Sequence, residues 1–164
     1  MSGTLFWVQN CAIQTTAAPV KVATGTSVKT LLQIGVPSTI AIRVVEWGIS
    51  LDTPASASIV SAELFACTGA ASTGTSITPS TYNDLGAVAS QCAGGAALTC
   101  FGPTAEGTVA ATRPFDLQLL TPPCTYVKQW PLGREPQTNV STFVRVRVTA
   151  SVTCNSYSYV IWEE

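Results

Sequence analysis

Histidine is absent from this sequence, and charged residues of either sign occupy only 10% of its 164 positions. Without an imidazole there is no Ser-His-Asp triad and no histidine-ligated zinc or iron. Nor is there a side chain whose ordinary pKa lies near neutrality. Lys and Arg number 8 against 9 Asp and Glu, for a net charge of −1. No basic patch can neutralise many phosphates, so a nucleic-acid partner is not expected. No charged low-complexity tail is present, which argues against wholesale disorder. No apolar run approaches the roughly 18 residues of a membrane helix, so no membrane partner is expected either. No Lys or Arg precedes Lys21 and no apolar stretch follows the first residues, so a secretory signal is not expected in this chain.

Helical spacing is lacking as well. No long segment sustains apolar residues at i, i+3 and i+4, and residues 81–90 offer one short helical turn at most. G-x-S-x-G, the P-loop and G-x-G-x-x-G are all missing. The carboxylates Glu46, Glu63, Asp84, Glu106 and Asp116 are dispersed, and nothing in the sequence favours any two as an acid–base pair. No enzyme activity, catalytic residue, cofactor or metal is therefore expected.

What the chain does have is short β-branched runs broken by Gly, Pro, Ser and Asn, the pattern of an antiparallel sandwich. The clearest run is Val140 to Val152. Val144, Val146, Val148, Ala150 and Val152 alternate with mostly polar residues, so one face looks into a core. Arg145 and Arg147 fall on the other face, free for a partner or for solvent. Residues 39–52 change phase near Val44 and Val45, which predicts either a β-bulge or burial on both faces. Residues 57–67 form a third strand. Further runs lie at 19–24, 27–36, 115–120, 124–130 and 156–162. Residues 68–106 differ in kind. They are rich in Ala, Gly, Ser and Thr, and read as a long excursion, part loop and part short hairpin. The fold class is thus all-β, an antiparallel β-sandwich or jelly-roll-like single domain with a long Cys-containing loop. Residues 1–15 read as an N-terminal segment or arm, able to touch a neighbour, and residues 16–164 as the domain.

Six cysteines stand at Cys11, Cys67, Cys92, Cys100, Cys124 and Cys154, with no C-x-x-C among them. The even count in a loop-rich chain predicts at least one disulfide, with the pairing open. Cys92 and Cys100 flank a Gly- and Ala-rich loop, and Cys11 and Cys154 could staple the two ends if their strands are neighbours. The competing reading is that several are small buried hydrophobes. Disulfides without a signal peptide fit a particle made in a cytosol and matured outside it. Tryptophan is scattered over the chain at Trp7, Trp47, Trp130 and Trp162. Trp47 reads as core. Trp7 and Trp130 lie in less periodic segments and are candidate contact residues. The turn-rich stretch from Trp130 to Pro136 carries Arg134 and Glu135, the composition of a contact loop.

Four short segments carry a resemblance. They are Phe6-Trp7-Val8-Gln9-Asn10, Val45-Glu46-Trp47-Gly48-Ile49-Ser50, Trp130-Pro131-Leu132-Gly133-Arg134-Glu135 and Tyr159-Val160-Ile161-Trp162-Glu163-Glu164. Together they resemble capsid-decoration (cement) proteins of tailed bacteriophages infecting actinobacteria. The 68–106 excursion is not part of that pattern. The resemblance implies a β-sandwich or jelly-roll protomer, a homotrimer, and a place on the outer surface of the virion. There it would bind the major capsid protein without catalysis. Trp7, Trp130, Arg134, Arg145 and Arg147 are then the expected interface residues. The alternatives are a secreted or surface-displayed lectin-like module, another virion part such as a tail or head fibre, and, most remotely, an enzyme.

Overall fold

Apolar residues alternating with a period of two put one face of each strand into a shared interior. The computed structural model of the protein, which describes residues 3–12 and 16–164, shows where those faces meet. Two six-stranded antiparallel sheets form a β-sandwich, and no helix occurs among the described residues. The first sheet runs β10 (Cys124–Gln129), β4 (Arg43–Leu51), β12 (Asn155–Glu163), β1 (Leu5–Gln9) and β7 (Ser80–Thr81). The short β2 (Val22–Ala23) pairs with the start of β12, in line with β1. The second sheet runs β6 (Thr75–Ser76), β8 (Cys100–Phe101), β3 (Val28–Gly35), β11 (Phe143–Thr149), β5 (Val60–Cys67) and β9 (Arg113–Leu120).

The core lies between the sheets. Phe6, Val8, Trp47, Ile49, Val160 and Trp162 enter it from the first sheet, and Leu32, Ile34, Leu64, Val144, Val146 and Val148 from the second. Burial of each such side chain contributes about 1.5–3 kcal/mol. Trp47 is among the largest fully buried side chains, as its strand phase predicts. The phase change in 39–52 is a bulge. Ile161 pairs with Glu46 but Trp162 pairs with Val44, leaving Val45 as the extra residue.

Two expectations are corrected. Residues 5–9 do not project as an arm. Phe6 and Val8 alternate into the core, and β1 pairs with β12 from Leu5↔Glu163 to Gln9↔Tyr159. Residues 1–2 and 13–15 of the expected N-terminal segment lie outside the described residues. The second correction concerns β11. Arg145 is fully buried, not on a free outer face. The reason is that parts of the 68–106 segment, at Gly69–Ala71, Leu98 and Glu106, cover the outer side of the second sheet, while its short β7 joins the first. Gln33, directly opposite Arg145, donates to the Leu98 carbonyl at 2.8 Å and accepts from the Ala71 amide at 2.7 Å. Arg145 donates to the carbonyl of Glu106 at 2.9 Å and to that of Gly69. A face that reads as half polar is polar because it anchors backbone, not because it meets water.

Candidate binding face of the first sheet

Register decides which side chains share the outer face of the first sheet. Opposite residues lie on the same side, so three rows cross the strands. Thr125, Ser50 and Tyr157 form one row, and Val127, Gly48, Tyr159 and Gln9 the next. Gln129, Glu46, Ile161, Trp7 and Ser80 form the third. Just beyond Ser80 the Tyr82 amide donates to the Leu5 carbonyl at 2.7 Å. This brings Tyr82, 60% exposed, to the same edge.

Gly48 shapes this face. A Cβ there would lie 2.5 Å from Cε1 of Tyr159 and 2.9 Å from its Cζ. The Tyr159 ring therefore lies down across the sheet over Gly48 instead of standing away from it. Its phenol donates to Glu46 Oε1 at 2.5 Å. Burial, reinforced by the Glu46 carboxylate, holds that phenol well above the usual tyrosine range, so it stays a donor. The Tyr157 phenol is likewise tied down, donating to the Pro19 carbonyl at 2.6 Å. Two adjoining hollows result. One of about 250 Å³ lies among Trp7, Gln9, Cys11, Val127, Tyr157 and Tyr159. The other, about 230 Å³, lies among Trp7, Glu46, Tyr82, Tyr159 and Ile161. Trp7 and Tyr159 belong to both.

Of the five expected contact residues, only Trp7 stands on this face. Trp130 packs partly against the core, and its amide donates to the Val45 carbonyl at 3.0 Å. Arg134 is exposed in a turn where its amide donates to the Pro131 carbonyl at 2.9 Å and Gly133 takes a φ of +81°. Arg145 and Arg147 belong to the second sheet. There Arg147 pairs with Glu63 at 2.6 Å and lies 4.4 Å over the Phe65 ring centre. Glu106 adds pairs at 3.7 Å to Arg145 and 3.9 Å to Arg147. These two arginines are thus committed within the chain. Tyr82, Glu46 and Gly48 were not singled out as site residues by the sequence. A glycine between Trp47 and Ile49 inside a strand was the available signal, because such a glycine often marks a close approach.

All six cysteines are free thiols, where the sequence predicts at least one disulfide. Cys11, Cys67, Cys92, Cys100 and Cys154 are buried, and Cys124 is half-buried. Three of them have hydrogen-bond partners of their own. Cys67 donates to the Gly69 carbonyl at 3.2 Å, Cys100 accepts from Gln33 at 3.9 Å, and Cys154 lies 3.8 Å from the Thr24 hydroxyl. Burial pushes all six thiols up, which disfavours the reactive thiolate. Among the described residues no three Cys, Asp or Glu gather to hold a metal ion.

Compared with models of protein families, with curated proteins and with solved structures, the chain matches none.

Proposed function

We propose that this protein is a non-enzymatic structural virion protein that binds the outside of a phage capsid as a symmetric homotrimer and stabilises the shell. One observation carries the reading. The four segments that resemble decoration proteins, far apart in sequence, converge on one sheet. Three of them lie in β1, β4 and β12, which are neighbours, and the fourth continues directly from β10 beside β4. The resemblance therefore falls on one connected unit instead of on scattered turns.

The physics of such a role is adhesive. A near-neutral surface offers little self-repulsion against dense packing. Modest contacts repeated by lattice symmetry add through effective concentration. A closed ring of protomers uses one heterologous patch per copy. Apolar side chains are available to neighbours at the outer strand β9, where Leu117 is 62% and Leu119 75% exposed. Leu132, beside Arg134, is 97% exposed.

The test is mass spectrometry of purified particles from the source of this sequence, counting copies of the chain per major capsid subunit. A simple lattice fraction supports the reading. A handful of copies per particle moves the protein to a tail, fibre or vertex. Its absence from particles overturns the reading.

A further inference from the structure

One hollow on the first sheet combines aromatic rings with a carboxylate that has no cation. Trp7, Tyr82 and Tyr159 bound it, and Ile161 supplies its floor. Glu46 stands at its side and enters none of the ion pairs among the described residues. Only its Oε1 accepts a hydrogen bond among them, from Tyr159. Among the described residues, no Lys or Arg lines this hollow or the one next to it.

Aromatic faces carry negative potential, and a carboxylate adds a full charge, so the field in the hollow favours a cation. The kind of cation follows from what is missing. A hard metal ion needs several oxygen ligands, and the hollow offers one carboxylate. A primary ammonium is strongly hydrated and gives up water reluctantly, whereas a methylated ammonium has an apolar skin suited to ring faces. A sugar requires several hydrogen-bonding groups held around it, and here the Tyr159 phenol is already committed to Glu46, leaving only the Trp7 indole, the Tyr82 phenol and one Glu46 oxygen. At about 230 Å³ the space is below the roughly 300–1,000 Å³ of drug-sized pockets and suits a small headgroup.

We propose that the hollow formed by Trp7, Tyr82, Tyr159 and Glu46 binds a small quaternary ammonium cation of choline size. The inference stands on the sheet face alone and is independent of the virion reading.

The experiment is an NMR titration of the full chain with choline chloride at constant ionic strength. A parallel titration uses the uncharged isostere in which carbon replaces the quaternary nitrogen. Saturable choline binding that shifts the Trp7 indole resonance is expected, with the isostere weaker by about tenfold or more. Glu46→Gln keeps an acceptor for Tyr159 and removes the charge, and should weaken choline by a similar factor. Tyr82→Ala removes a ring that is 60% exposed, so the fold survives it, and affinity should again fall. Equal affinity for choline and isostere overturns the proposal. So does choline binding that neither variant changes, the absence of saturable choline binding, or a neutral oligosaccharide shifting Trp7 where choline does not.

Discussion

Replacing Arg145 tests the account of the 68–106 segment most directly. The guanidinium is fully buried between β11 and that segment, donating to the carbonyls of Glu106 and Gly69. Arg145→Ala leaves both carbonyls without that donor, at about 1–3 kcal/mol each where water cannot replace it. It also removes one cation from the Glu106 carboxylate 3.7 Å away, but that carboxylate is 21% exposed and keeps Arg147 at 3.9 Å and the Thr30 hydroxyl at 2.9 Å, so this loss adds little. The two carbonyls dominate, so the net loss should be about 2–6 kcal/mol. For a chain of this size that is a fall in Tm of roughly 10 °C. Arg145→Lys should recover only part, because one ammonium cannot span two carbonyls as a guanidinium fork does. Urea denaturation gives the magnitude, and hydrogen exchange gives the place. The amides of Ala71, Ser72 and Gly74, bonded within or beneath the segment, should lose protection before those of β12. A loss under about 1 kcal/mol with those amides still protected would refute the idea that Arg145 pins the segment.

Gly48→Ala places a Cβ 2.5 Å from the Tyr159 ring and should cost about 1–3 kcal/mol in denaturant unfolding, as the ring must lift from the sheet. Asp52 accepts from the Asn155 amide and side chain and pairs with Lys21, which holds its carboxyl down at about 2 against the usual 3.8. A depressed carboxyl contributes its stability in full above the unfolded value and loses it as the pH falls towards the folded one. Between pH 4 and pH 2, unfolding free energies of the native chain should therefore fall more steeply than those of Asp52→Asn. Alkylation of the denatured, unreduced protein should label all six cysteines, and brief labelling of the native protein should modify the half-buried Cys124 first.

The sequence exposed strand phase more readily than strand neighbours. Period two in 143–149 placed Val144, Val146 and Val148 inward, and the broken phase near Val45 marked a real bulge. The same rule failed for Arg145, because alternation separates the two faces of a strand without saying what covers the second. Here 68–106 covers it, and that segment carries almost no periodicity of its own. The N-terminal arm failed for a related reason. Five residues alternating as Leu-Phe-Trp-Val-Gln are too few to call a strand until their partner, β12, is known. The hollow at Trp7 was illegible for the same cause: Glu46, Tyr82 and Tyr159 meet only through the register of β4, β7 and β12.

That register has a further consequence. β12, near the end of the sequence, lies inside the first sheet between β4 and β1. During synthesis β1 and β4 emerge long before the strand that must separate and join them. β4 can already pair with β10, but β1 joins them only once β12 has emerged, while β3, β5 and β11 of the second sheet can pair before it. Joining of β1 to the rest of its sheet is in this sense a late event, with the slow kinetics expected of pairings so distant along the sequence. A protein without β12 would lose Tyr157 and Tyr159 from the outer face and Val160 and Trp162 from the core together.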